Sequence, residues 1–212
     1  RYQDKTVVIP YGLDRSGYPV PGEACVARWE QRFGRRFFLF VGVLRYYKGL
    51  HILLEAAQGT TYPIVIVGSG PLEQELRARA AALGLANVHF VGHLGEEDKV
   101  ALLQLCSVLL FPSHLRSEAF GISLLEGAMY GKPMISCEIG TGTSYINAHG
   151  ETGLVVPPSN PAAFREAMRA LWDNPEQAQE MGRKASQRYQ QLFTSERMGQ
   201  QMASLYRELL NG

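Results

Sequence analysis

The chain has 212 residues, of which 46% are hydrophobic and 19% are charged, and its formal net charge is +1. This composition is typical of a globular protein with one substantial core, and the near-zero charge provides no overall attraction for nucleic acid. Every apolar stretch is much shorter than the ~20 residues that a membrane-spanning helix needs.

Short apolar runs alternate with segments of helical period along the chain. The strand candidates are Thr6–Ile9, Phe37–Val41, Ile64–Val67, Val88–Val91, Val108–Phe111, Pro133–Ser136 and Gly153–Val156. The helix candidates are Ala24–Phe33, Leu50–Ala57, Leu72–Leu83, Glu97–Leu105, Ile122–Tyr130, Pro161–Trp172, Pro175–Gln191 and Ser195–Leu210. This alternation predicts an α/β fold: a doubly wound parallel (Rossmann-like) sheet of about six strands, with helices on both faces and a C-terminal helical tail. We expect one domain over residues 1–212.

Loops that follow the strands are the expected location of a ligand site, because parallel sheets bind ligands at the carboxyl ends of their strands. The second strand candidate leads into the sequence GVLRYYKG, which carries Arg45 and Lys48 immediately before a helix. Two cations at a glycine-flanked helix start suit an anion, since fixed charge and free backbone amides act together. On these residues alone, ordinary solvent-exposed cations are an equal alternative.

The sequence contains two incomplete matches to nucleotide-binding motifs. Gly68 and Gly70 follow a strand candidate, but the dinucleotide fingerprint requires a third glycine where this chain has Glu73, which disfavours a dehydrogenase. Residues 127–133 have a spacing close to that of a P-loop, but Pro133 replaces the magnesium-binding hydroxyl. Gly68 still permits close approach of a ligand, although a plain tight turn explains it equally well.

The segment after the fifth strand candidate carries two carboxylates at a helix start. Glu118 falls in the loop and Glu126 about one turn inside the predicted helix, so both can face one cleft. The amides near Phe120–Ile122 open that helix and can hold a phosphate, while carboxylates accept hydrogen bonds from sugar hydroxyls. His114 precedes them, but a lone histidine is more often structural than a catalytic base.

Five motifs in chain order resemble the C-terminal domain of the retaining family 4 (group 1) glycosyltransferases of GT-B architecture. The motifs are VIPYGLD (8–14), FVGVLRYYKG (40–49), VGSGP (67–71), EAFGISLLE (118–126) and GLVVPPSNP (153–161). Each motif is weak alone, but together they cover almost the entire chain. The resemblance implies a domain that binds a nucleotide-diphospho-sugar for retaining transfer of a hexose to a glycan or lipid-linked acceptor.

The resemblance also assigns roles to individual residues. Arg45 and Lys48 would contact the diphosphate and stabilise the leaving group, and Glu118 would contact the donor hexose; these three are the catalytic candidates. Glu126 would bind the ribose hydroxyls. The remaining donor-binding candidates are Gly42, Gly68, His93, Leu94, Phe120, Gly121 and Ile122.

Two departures from the family pattern bear on the donor. The asparagine usual in the first motif is Tyr11, and the glycine-rich segment after the sixth strand candidate reads EIGTGTS (138–144). The second variant resembles bacterial polysaccharide mannosyltransferases, as in lipopolysaccharide biosynthesis, and so favours GDP-mannose over a UDP-sugar as donor. No DxD motif is present, so we expect no metal and no cofactor besides the substrate.

The expected partners are the donor and an N-terminal acceptor domain absent from this chain, onto which the apolar stripe of the last helix would dock. The three cysteines lack CxxC spacing and fit a cytoplasmic protein. Attachment to the inner face of the cell membrane stays open for the full-length protein. Two alternatives remain: a sugar-nucleotide epimerase of the same architecture, and a non-enzymatic doubly wound binding module.

Overall fold

The computed structural model of the protein describes residues 6–211. In these residues a single sheet contains six strands, all parallel. The strands are β1 (Phe38–Val41), β2 (Ile64–Val67), β3 (Val88–Gly92), β4 (Val108–Phe111), β5 (Met134–Cys137) and β6 (Gly153–Val156). Their order across the sheet is β3-β2-β1-β4-β5-β6, which is the order of a doubly wound dinucleotide-type fold. The predicted fold class is confirmed.

Helices cover both faces of this sheet. They are α1 (Glu23–Phe33), α2 (Leu50–Ala57), α3 (Glu73–Ala82), α4 (Glu96–Leu105), α5 (Ile122–Met129), α6 (Thr143–Ile146), α7 (Pro161–Asp173), α8 (Pro175–Leu192) and α9 (Ser195–Asn211). Successive strand residues point to opposite faces, so Phe38 and Phe40 pack with α2, α3 and α7, whereas Leu39 packs with α1, α4 and α5. These two apolar clusters hold the strand ends in fixed positions.

One predicted strand is wrong: residues 6–9 form no strand. Val7 and Val8 are 59% and 80% exposed, so no neighbouring strand covers the apolar pair that suggested one. The segment is instead anchored further along, where Leu13 forms an isolated parallel bridge with Thr194 and its carbonyl accepts a hydrogen bond from Tyr189 Oη at 2.9 Å. Elsewhere the predicted elements differ from the observed ones by a residue or two at their ends, and the short helix α6 was not predicted.

The C-terminal tail is helical, as predicted. The apolar stripe expected on the last helix comprises Met198, Met202, Leu205 and Leu209; Met202 and Leu209 are exposed, and Met198 and Leu205 are partly buried. Within residues 6–211, no helix combines the length and the apolarity that crossing a membrane requires.

Candidate functional site

The strand order reverses between β1 and β4, and the loops after these two strands meet at the carboxyl edge of the sheet. Gly49 ends the β1–α2 loop with φ of 70°, and a Cβ there would lie 2.0 Å from the carbonyl oxygen of Pro112 in the β4–α5 loop. The His114 amide donates to the Tyr47 carbonyl across the same gap, at 3.0 Å. Reversal points of this kind open a crevice in which doubly wound proteins bind ligands.

Lys48 and Glu118 form an ion pair across these loops. Lys48 Nζ lies 2.5 Å from Glu118 Oε2, and the same oxygen accepts a hydrogen bond from Ser113 Oγ at 3.1 Å. The side chains of Lys48 and Glu118 are only 13% and 11% exposed. Two residues that lie 70 positions apart in the sequence, both predicted to serve the donor, are therefore held together at the crevice.

Glu126 forms a second buried pair, with Lys99 of α4. Lys99 Nζ lies 2.8 Å from Glu126 Oε1, and Tyr18 donates its phenolic hydroxyl to that oxygen at 3.1 Å. Burial by itself would lower the pKa of Lys99, but hydrogen bonds and charge from Glu126 and Glu96 outweigh it and raise that pKa. Burial, followed by the charge of Glu126, raises the pKa of Tyr18 above its ordinary value of 10, so the hydroxyl remains a donor in alkaline solution as well as at neutral pH.

Both carboxylates are anchored through one oxygen only. Oε2 of Glu118 and Oε1 of Glu126 each accept two contacts from the protein. Their other oxygens, Oε1 of Glu118 and Oε2 of Glu126, have no hydrogen-bond partner among residues 6–211. Neither oxygen belongs to the fully buried unpartnered atoms of residues 6–211, which are Ser144 Oγ and Gln201 Oε1, so water or a ligand can reach both. This geometry leaves two oriented acceptors at the edge of the sheet.

A cavity of about 230 Å³ opens beside Lys99, at the ends of β1, β2 and β3. Four of the predicted donor-binding residues line it: Gly42, Gly68, His93 and Leu94. Gly68 has φ of 131°, and a Cβ there would lie 1.9 Å from the Gly42 carbonyl oxygen, so a side chain is excluded by both conformation and space. This cavity adjoins the Lys48–Glu118 pair, because Gly42 lies next to Lys48: a Cβ added to Gly42 would be 3.8 Å from Lys48 Cε.

The other predicted residues lie at the start of α5 and in the β1–α2 loop. Gly121 caps α5 with φ of 96°. In the described part of the chain, the amides of Phe120, Gly121 and Ile122 donate no hydrogen bond. Free amides at a helix start favour an anion. Arg45 is exposed and forms no ion pair within residues 6–211, so its guanidinium is available to a ligand.

His114 has the surroundings of a structural residue. It is 7% exposed; its Nε2 lies 3.1 Å from the Tyr46 carbonyl oxygen and its Nδ1 lies 3.0 Å from Ser159 Oγ. A carbonyl oxygen only accepts hydrogen bonds, so Nε2 carries the proton and Nδ1 accepts from the serine hydroxyl. With both ring nitrogens engaged, His114 supports the loop that contains Lys48 rather than presenting a free base.

Sequence reasoning missed Lys99 and Tyr18. Lys99 is the one cation in the acidic segment GEEDK (95–99), at the start of α4. Its position directly after three carboxylates was the only sequence feature that could have identified it. Tyr18 carried no signal, because it lies 108 residues from the glutamate that it contacts. In residues 6–211, no three His, Cys, Asp or Glu side chains are grouped as a metal site would require.

Another cavity, of about 400 Å³, opens at the opposite edge of the sheet, where the strands begin. Its cations are already engaged: Arg36 donates to the Trp172 carbonyl, and Lys132 Nζ donates to the carbonyls of Gln104 and Cys106, both at 2.8 Å. The carboxyl edge, with its unpartnered acceptors and donors, is therefore the stronger candidate for a ligand site.

Comparison with known proteins identifies relatives of this chain. The family model for glycosyl transferases group 1 matches residues 27–188. The chain is 72% identical over 195 residues to D-rhamnosyltransferase WbpZ of Pseudomonas aeruginosa, covering 92% of this chain and 51% of that protein. It is 52% identical over 210 residues to O-antigen chain mannosyltransferase C of Escherichia coli, covering 99% of this chain and 56% of that protein.

A solved structure shares the fold. The Anabaena protein Alr3699/HepE, crystallised with UDP and glucose, superposes with a TM-score of 0.84 at 23% identity, over 96% of this chain and 57% of that one. The chain thus spans about half the length of the curated relatives that it matches.

Proposed function

Because the chain belongs to the group 1 glycosyltransferase family, we propose that it binds a nucleoside-diphospho-sugar, and that the whole protein transfers the hexose to an acceptor with retention of anomeric configuration. In this reaction the bond between the anomeric carbon and the diphosphate breaks, and the oxygen of an acceptor hydroxyl forms the new bond to that carbon. The hydroxyl loses its proton, which leaves with the nucleoside diphosphate. Negative charge grows on the departing diphosphate.

The observation that carries the proposal is the pair of half-anchored carboxylates at the reversal point of the sheet. Glu126 would accept the ribose hydroxyls through Oε2, and Glu118 would accept a hexose hydroxyl through Oε1. Hydrogen bonds to a charged, pre-oriented acceptor are roughly twice as strong as neutral ones. The cavity lined by Gly42, Gly68 and His93 would then receive the base.

The diphosphate would lie between Lys48, Arg45 and the free amides that open α5. An ammonium has three N–H donors, so Lys48 can hold Glu118 and still donate to a phosphate oxygen. Preorganised donors of this kind stabilise charge that develops in the transition state, and losing one typically lowers kcat by about 10²–10³. The cations would supply the charge stabilisation that a metal provides elsewhere.

For the donor sugar we propose a manno-configured hexose activated by GDP. One relative is named for mannose, and the relative with 72% identity is named for D-rhamnose, the 6-deoxy form of mannose. GDP-mannose is our preferred donor and GDP-D-rhamnose is the second candidate, since the two differ only at C6. The name of one relative, O-antigen chain mannosyltransferase C, favours a growing bacterial polysaccharide as the acceptor. We propose that a separate domain of the whole protein binds this acceptor on the cytoplasmic side of the membrane.

Isothermal titration of the chain with GDP, UDP, GDP-mannose and GDP-D-rhamnose tests this proposal. We expect GDP and its sugars to bind, and Glu126→Gln to weaken GDP binding about tenfold or more, because a charge-assisted hydrogen bond is lost. Glu166→Gln is the matched control, since Glu166 pairs with Arg169 on the exposed surface of α7. If none of the four compounds binds at millimolar concentration, the donor-site assignment fails.

An assay of the full-length protein distinguishes glycosyl transfer from epimerisation. A transferase consumes donor only when acceptor is present, whereas an epimerase converts the sugar without any acceptor. Turnover of GDP-mannose with and without acceptor, followed by mass spectrometry of the sugar, decides between them.

A further inference from the structure

Tyr18 lies outside the part of the chain that the family model matches, residues 27–188, yet it touches the candidate site. It belongs to the segment before α1, in which the Leu13 carbonyl accepts hydrogen bonds from Tyr189 of α8 and from the Ser195 amide at the start of α9. Its half-buried ring meets the Tyr130 ring edge-to-face at a centroid distance of 6.3 Å, and Lys99 Nζ lies 5.2 Å from its ring centroid. These contacts fix the direction in which the hydroxyl points.

The hydroxyl reaches the same oxygen of Glu126 that Lys99 holds. With Oε1 occupied from two directions, rotation of the carboxylate about its terminal bond would break at least one of the two contacts. Terminal carboxylate torsions are otherwise broad, so a single ion pair to the three-donor ammonium of Lys99 would leave the plane poorly defined. The second contact therefore determines where Oε2 points.

We propose that Tyr18 is a positioning residue for ribose recognition: it holds Glu126 by Oε1 so that Oε2 faces the ribose hydroxyls of the donor nucleotide. This inference rests on the proposed function, because it takes Glu126 as the ribose-binding group. Tyr18 itself does not touch the donor.

The test compares GDP with 2′,3′-dideoxy-GDP by isothermal titration in the wild-type chain and in Tyr18→Phe, which removes one hydroxyl and keeps the ring. We expect the wild type to favour GDP about tenfold or more, and Tyr18→Phe to reduce that ratio about threefold or more. Tyr189→Phe is the matched control, because Tyr189 Oη donates to Leu13 O of the same segment and does not contact Glu126. Its ratio should equal that of the wild type.

The possible outcomes are distinguishable. An unchanged ratio in Tyr18→Phe overturns the inference, as does an equal reduction in Tyr189→Phe, which would reveal general loosening of the segment. If the wild type binds GDP and dideoxy-GDP equally, the donor site stands and the positioning role fails. If the wild type binds neither GDP nor UDP, the proposed function itself fails. If the wild type binds UDP but not GDP, the same ratio is measured with UDP and 2′,3′-dideoxy-UDP, and an unchanged ratio in Tyr18→Phe again overturns the inference.

Discussion

Removing the charge of Lys48 leaves Glu118 buried without its cation. Lys48→Met keeps most of the side-chain volume while eliminating the ammonium that lies 2.5 Å from Glu118 Oε2. Breaking a buried ion pair by removing one partner costs about 3–5 kcal/mol. Because about a tenth of each side chain remains exposed, we expect a loss near the lower end, about 3 kcal/mol.

Urea and thermal unfolding measure this loss. For a chain of 212 residues, a loss of about 3 kcal/mol corresponds to a decrease in Tm of about 6–12 °C. The double variant Lys48→Met/Glu118→Gln should recover most of the stability, since it removes both charges of the pair. Lys184→Met is the matched control: its contact with Glu180 is 3.8 Å long and half exposed, so its loss should stay within about 0.5 kcal/mol.

The reasoning is refuted if Lys48→Met unfolds with the same free energy as Lys184→Met. It is also refuted if Lys48→Met is destabilised but the double variant is not recovered, because the loss would then come from packing rather than from the unpaired carboxylate. In the functional assay, Lys48→Met should also bind GDP more weakly than Lys184→Met does.

Gly68→Ala places a Cβ 1.9 Å from the Gly42 carbonyl oxygen at φ of 131°, and we expect it to destabilise the chain by at least about 1–3 kcal/mol. Gly59 also has a positive φ, of 73°, but lies in open space, so Gly59→Ala should destabilise the chain less. Equal losses in urea unfolding would contradict this reasoning. Burial lowers the pKa of His51 and His89 below 6.5, so the unfolded chain binds protons first as pH falls. The stability that these two neutral histidines contribute is fully present above the unfolded pKa of about 6.5. It is lost as pH falls below 6.5 and through their lowered pKa in the folded chain. His51→Gln and His89→Gln should flatten the pH dependence of the unfolding free energy, and a flat wild-type profile would be the opposing result. Transfer activity of the full-length protein should survive EDTA, and activity that disappears with EDTA and returns with manganese would show that a metal is needed.

Most of the architecture could be predicted from the sequence, because the signals for it are local. The runs Ile64–Val67 and Val108–Phe111 are uninterruptedly apolar, which is typical of strands buried on both faces, and both are strands. The wrong prediction at Thr6–Ile9 also came from a local signal. An apolar run forms a strand only if another strand pairs with it, and the local sequence does not show whether such a strand is present.

Sequence motifs identified some residues of the candidate site, but they did not show which side chains contact each other. The motifs around Lys48 and Glu118 identify groups suited to a diphosphate and a sugar, and the resemblance gave them an order along the chain. It did not indicate that the two side chains pair with each other, or that Lys99 and Tyr18 hold Glu126, since these contacts join residues 70, 27 and 108 positions apart.

By itself, the sequence determined the alternation of elements, the sheet class and the residue types at the strand ends, because these depend on periodicity and on the conformational freedom of glycine over a few neighbouring residues. Only the tertiary structure decided which oxygen of each carboxylate is engaged and which is left for a ligand. That choice depends on the convergence of the segment before α1, α4, α5 and the β1–α2 loop at one edge of the sheet, and hydrogen bonds form only between atoms that packing has brought within about 3 Å.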